Sequence, residues 1–103
     1  MKWKNTDGWN LSDMSASVSM SDSYALTADE KRSFIAFTCS AASKVLTLGL
    51  ANGQGAIVIN TGGTNAVTVK NVSGDTGTSV AAGKCALVIA SATANGSTVA
   101  VLN

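Results

Sequence analysis

The side chains of this 103-residue chain best suited to bond-making chemistry are two cysteines, Cys39 and Cys85, and six carboxylates. It has no histidine, the group that most often moves protons near neutral pH. A cysteine nucleophile needs a neighbouring base or cation to hold its thiolate. Cys39 instead shares strand parity with Ile35 and Phe37, and Cys85 with Leu87 and Ile89, so both read as buried, small-hydrophobe thiols. A disulfide between them is the alternative, worth about 3–4 kcal/mol. It would suit an oxidising compartment, and the opening residues lack the apolar stretch of a secretory signal.

The carboxylates Asp7, Asp13, Asp22, Asp29, Glu30 and Asp75 are scattered through polar, loop-like surroundings and read as solvated surface acids. Asp75 lies in Ser-Gly-Asp-Thr-Gly-Thr, where one carboxylate is thin for calcium, which takes several oxygen ligands. A turn in which Asp75 accepts from nearby backbone amides is the better reading. The glycine-rich stretch 49–55 leads into a β-branched run and not a helix, so it reads as a hairpin turn, not a phosphate cradle. Three Asn-x-Ser sequons, at Asn10, Asn71 and Asn95, carry no meaning without secretion. The expectation is a non-enzymatic chain: no catalytic residue, no metal and no cofactor.

The elements that must position these groups are strands. Charged residues are 13% of the chain, with seven Lys and Arg against six acids, a net charge of +1. A disordered segment needs more charge, a nucleic-acid footprint needs clustered cations, and no apolar run is long enough to span a membrane as a helix. Short period-two runs at 15–20, 34–38, 45–48, 56–60, 66–71, 85–90 and 98–102 alternate with turns rich in Gly and Asn. Residues 28–32 are the one helix-friendly stretch and read as a turn. This predicts an all-β fold, a small antiparallel β-sandwich or jelly-roll-like barrel, as one domain. Residues 1–13 form an arm and 14–103 the sandwich core, with nine of the 13 charges lying in residues 1–32.

In Val67-Thr68-Val69-Lys70 one face is apolar and the other polar. Ile57-Val58-Ile59 and Leu87-Val88-Ile89 are apolar on both faces, which predicts central strands or strands covered by a neighbouring subunit. Much of the 46% hydrophobic content is alanine, so the core is lean for its length. Both facts predict an oligomer, with Ile57, Ile59 and Val88 as interface candidates.

From residue 44 onward the layout resembles the small β-modules of tailed-phage virion proteins: capsid decoration proteins, head fibres and some tail fibres. The resemblance rests on Gly53-Gln54-Gly55, Ile57-Val58-Ile59-Asn60-Thr61-Gly62, Asn65-Ala66-Val67-Thr68-Val69, Ser73-Gly74-Asp75 and Ala82-Gly83-Lys84. Members often end in a Trp-containing strand, whereas this chain ends Val99-Ala100-Val101-Leu102-Asn103. The resemblance implies a structural protein of the virion, made in the host bacterial cytoplasm and carried on the capsid surface, as a homotrimer bound to the major capsid protein or another virion protein. No catalytic residues come with it.

The expected attachment element is the arm, with Trp3, Lys4, Trp9 and Leu11 as contact residues, since tryptophan desolvates much area at little entropic cost. The same tryptophans would otherwise cap the domain's own core. The alternative function is a receptor- or glycan-binding module using loops 61–65 and 73–79, with Thr61, Thr64, Asn65 and Asp75 toward the ligand. A secreted adhesin is a third reading, disfavoured by the missing signal. Neither nucleic acid nor membrane is an expected partner.

Overall fold

The computed structural model describes residues 15–102, together with the backbone of two short paired strands, β1 (Trp3–Lys4) and β2 (Gly8–Trp9). Nine further strands follow: β3 (Ser15–Met20), β4 (Tyr24–Ala25), β5 (Phe34–Cys39), β6 (Lys44–Thr47), β7 (Gly55–Asn60), β8 (Val67–Lys70), β9 (Thr78–Val80), β10 (Cys85–Ile89) and β11 (Thr98–Val101). Seven of them arise from the period-two runs, while β4 and β9 lie outside those runs. Residues Ala28–Glu30 make a single 3₁₀ turn. The strands build a five-stranded sheet, in the order β11-β10-β7-β5-β3, and a four-stranded sheet, β4-β6-β8-β9. The fold is all-β, and its two sheets enclose one core.

The expectation of an antiparallel arrangement is corrected. From β3 to β8 the chain alternates between the sheets, so strands meeting within a sheet run parallel: β3 with β5, β5 with β7, β4 with β6 and β6 with β8. The result is a two-layered coil. Phe34 lies beside Ile57 and Lys44 beside Val67, an offset of 23 residues (34 to 57 and 44 to 67), after shorter first circuits of 19 in the larger sheet (15 to 34) and 22 in the smaller (24 to 46). Only then does the chain reverse, with β9 antiparallel to β8, and β10 and β11 antiparallel closing the larger sheet. The glycine turn at 49–55 is thus a passage between layers and not a hairpin. A turn of this length can bridge the roughly 10 Å between stacked sheets as well as it can fold back.

Alternation then fills the core. Ile35, Phe37, Leu46, Leu48, Val58 and Val88 are fully enclosed. The predicted parity of β8 holds: Val67 and Val69 are at 0% exposure, while Thr68 and Lys70 face outward. Two asparagines are enclosed as completely, and each ties one passage between layers to its surroundings. Asn60, ending β7, donates Nδ2 to the carbonyls of Asn65 (2.9 Å) and Val80 (3.0 Å) and accepts from the Gly62 amide. Asn71, just past β8, accepts from the Leu50 amide (2.7 Å) and donates to the carbonyls of Leu50 and Ser91. A buried amide is tolerated only when its polar atoms are paired in this way.

Candidate interaction surface

The larger sheet has an unusual outer face. None of its five strands contains a charged residue. Alternation places Ala86 and Val88 in the core and therefore turns Leu87 and Ile89 into solvent, at 40% and 47% exposure. On β7 the same rule exposes Ile57, at 38%, with Ile59 half-buried. Register aligns these groups across the sheet: Leu87 sits between Ala100 and Ile57, and Ile57 beside Phe34. In the next row Cys85 adjoins Ile59, which adjoins Ala36. One margin is hydroxylic, with Ser15, Ser17 and Ser19 along β3; the other, β11, opens on Thr98 and ends at exposed Val101, followed by exposed Leu102. The outward side of the smaller sheet contrasts with this, carrying Val45, Thr47, Thr68, Lys70 and Ser79.

Of the three interface candidates, Ile57 and Ile59 face outward and Val88 does not. Val88 is at 0% exposure in its own chain's core, and its place on the outer face is taken by Leu87 and Ile89. The parity within Leu87-Val88-Ile89 was legible, but the sequence does not say which parity points inward.

The thiols divide in the same way. Cys39 is buried, its Sγ 3.2 Å from the Ala41 carbonyl, as expected. Cys85 is half-buried on the outer face, which corrects its reading as a core thiol. Both are free and project from opposite faces of one sheet, a placement no disulfide can bridge.

The chain matches no family model, no curated protein and no solved structure.

The polar loops form two separate places. Loop 61–65 precedes β8 and loop 73–79 follows it, so they lie at opposite ends of a strand roughly 13 Å long. Thr61 donates its hydroxyl to the Phe37 carbonyl, and Asn65 donates Nδ2 to the Cys39 carbonyl (3.0 Å), leaving exposed Thr64 as the group free for a ligand among them. Gly62 and Gly63 border a shallow cleft with Ser19, Ser21 and Cys39.

At the other end, Asp75 fulfils the turn reading. Its Oδ1 accepts from the Asn95 amide at 2.6 Å, and its Oδ2 from the amides of Asn71 and Val72. Asn95, in a left-handed conformation (φ 60°), in turn accepts the Thr76 amide on its Oδ1. The Asn95 amide foremost, then those of Val72 and Asn71, holds the Asp75 carboxyl below the ordinary range. Asp75 is therefore a latch between the 71–75 and 91–97 loops. A polar cleft of about 130 Å³ opens beside it, lined in part by Lys70, Thr76 and Ser97.

Two other acids are also engaged. Glu30 is depressed chiefly by the Thr27 amide and then by the Tyr24 hydroxyl, each 2.8 Å from its Oε1. Asp22 is depressed first by the Ser23 amide and then by Lys44, 3.1 Å away. Among the described residues no cluster of three or more Cys, Asp or Glu is placed to hold a metal ion.

The side chains of Trp3, Lys4 and Trp9, and the whole of Leu11, lie outside the described residues. Asn60 and Asn71 are the functional residues of the scaffold that sequence reasoning missed. Asn71 was visible as a sequon and as the end of the run 66–71, and its amide is wholly enclosed and bonded, which leaves no room for a glycan in the folded chain.

Proposed function

We propose that this chain is a non-enzymatic structural protein of a tailed-phage particle, seated on the capsid exterior as an oligomer of identical copies, three in the simplest form. The observation that carries the reading is the uncharged sheet that sets Leu87, Ile89 and Ile57 in solvent: such a face fits a protein that works by covering and being covered. A coil of short strands with brief turns also suits a particle that must persist outside a cell. Repetition of one modest contact around a symmetry axis raises avidity without new chemistry. In this reading residues 1–13 make the contact with the shell.

Co-sedimentation with capsids assembled from the major capsid protein of the same genome tests it. The full chain should pellet with the capsids, and a chain lacking residues 2–10 should stay in the supernatant while keeping its β-type circular dichroism. A full chain that never pellets overturns the reading. If the chain instead binds host cells, the receptor-binding alternative takes over, with exposed Thr64 on loop 61–65 as its first candidate.

A further inference from the structure

We infer that the outer face of the five-stranded sheet is the surface through which copies of this chain pack on one another, sheet against sheet. Such like-on-like contact is two-fold, so it joins chains in pairs, goes beyond the three-copy oligomer of the proposed function, and does not depend on the capsid.

Four observations select a second copy as the occupant. First, the five strands carry no charge, so two identical faces meet without repulsion, and nothing on the face selects a charged foreign partner. Second, its anatomy is that of an interface: large aliphatic groups on the inner strands β7 and β10, bounded by the serines of β3 on one side, with exposed Val101 and Leu102 at the β11 edge. Third, the area suffices. Five strands about 4.8 Å apart and about 20 Å long present on the order of 500 Å² in projection. Two such faces together reach the roughly 1,000 Å² expected of a specific interface. Fourth, the polarity is one-sided, since the opposite sheet shows Thr47, Thr68 and Lys70 to solvent.

Packing would put Leu87 and Ile57 at the centre, because they are register partners on adjacent inner strands. Stacked sheets interdigitate at about 10 Å, a distance that dries both side chains. Cys85, one row away beside Ile59, then acts as a built-in reporter: covered in the assembly and open in a lone chain.

The test is light-scattering mass of the full chain across the micromolar range, combined with alkylation of the native thiols. Wild type should have the mass of two or more chains, and Cys85 should be slow to alkylate. Leu87→Lys with Ile57→Lys should reduce the mass to one chain and speed Cys85 alkylation, with the β-type circular dichroism retained. Should the double lysine variant fail to fold, Leu87→Thr keeps strand propensity and should still weaken association. A monomeric wild type overturns the inference whatever the capsid experiment shows. So does an assembly whose mass survives the substitutions, which would place the contact elsewhere. A monomer in which deletion of residues 1–13 unmasks Cys85 would show that the chain's own arm covers the face, and would also overturn it.

Discussion

Replacing Asn71 by leucine, a side chain of nearly the same shape, isolates the worth of one buried amide. The substitution removes three hydrogen bonds at a site with 0% exposure. The Leu50 amide and carbonyl lose their partner inside the protein, at about 2 kcal/mol each for a buried unsatisfied group. The Ser91 carbonyl loses less, because it also accepts from the Ser97 hydroxyl. Burying the leucine methyls returns about 2 kcal/mol. The balance is a loss of roughly 3 kcal/mol, a large fraction of the 5–15 kcal/mol typical of a domain. At about 4–8 °C per kcal/mol, melting should fall by about 12–24 °C. Urea unfolding followed by far-ultraviolet circular dichroism measures this, with an unchanged slope confirming the same cooperative unit. Thr64→Ala, on an exposed loop, should stay within about 0.5 kcal/mol of wild type. A loss below about 1 kcal/mol for Asn71→Leu would refute the claim that the amide ties the β6–β7 passage to the loop after β10.

Gly77 and Gly53 both adopt left-handed backbone, φ +80° and +84°, but in different space. Alanine at 53 meets nothing within 4 Å and should cost about 1 kcal/mol in a thermal melt, from backbone strain alone. At 77 the new Cβ would lie 2.7 Å from Thr68 Cγ2 and 3.1 Å from the Val69 carbonyl, so the loss should be about 2–3 kcal/mol. Equal costs would contradict the packing described. The Asp75 latch predicts acid sensitivity of known sign: its folded pKa lies below the ordinary 3.8, so its contribution is complete above about pH 4 and fades as pH falls through the lower folded value. The stability gap between wild type and Asp75→Asn should therefore be wide at neutral pH and narrow at acid pH, and a constant gap would discount the latch.

The strands were legible because alternation is written in residues such as Val67, Val69, Thr68 and Lys70, and because Gly and Asn punctuate them. Even the Asp75 turn could be read from its neighbours. Layer assignment could not. Whether the segment 49–55 returns within a sheet or crosses to the other depends on which strands finally pair, a long-range matter that turn chemistry does not encode. The inside-outside choice for Leu87-Val88-Ile89 is ambiguous for the same reason, since both parities are apolar. Asn71 was hidden by its type: nothing local separates an asparagine that caps a turn in water from one sealed between two loops.

The circuit of 19 to 23 residues (15 to 34, 24 to 46, 34 to 57 and 44 to 67) has a consequence for how such a chain can change in length. One complete circuit returns the backbone to the same sheet, facing the same way, one strand spacing further on. Lengthening by a whole circuit would raise the body by about 4.8 Å and leave the reversing strands β9, β10 and β11 to seal a taller stack unchanged. A stray single residue within a strand would turn every later side chain of that strand inside out. The stature of this protein is thus quantised, and its last three strands act as the stop that fixes the number of circuits.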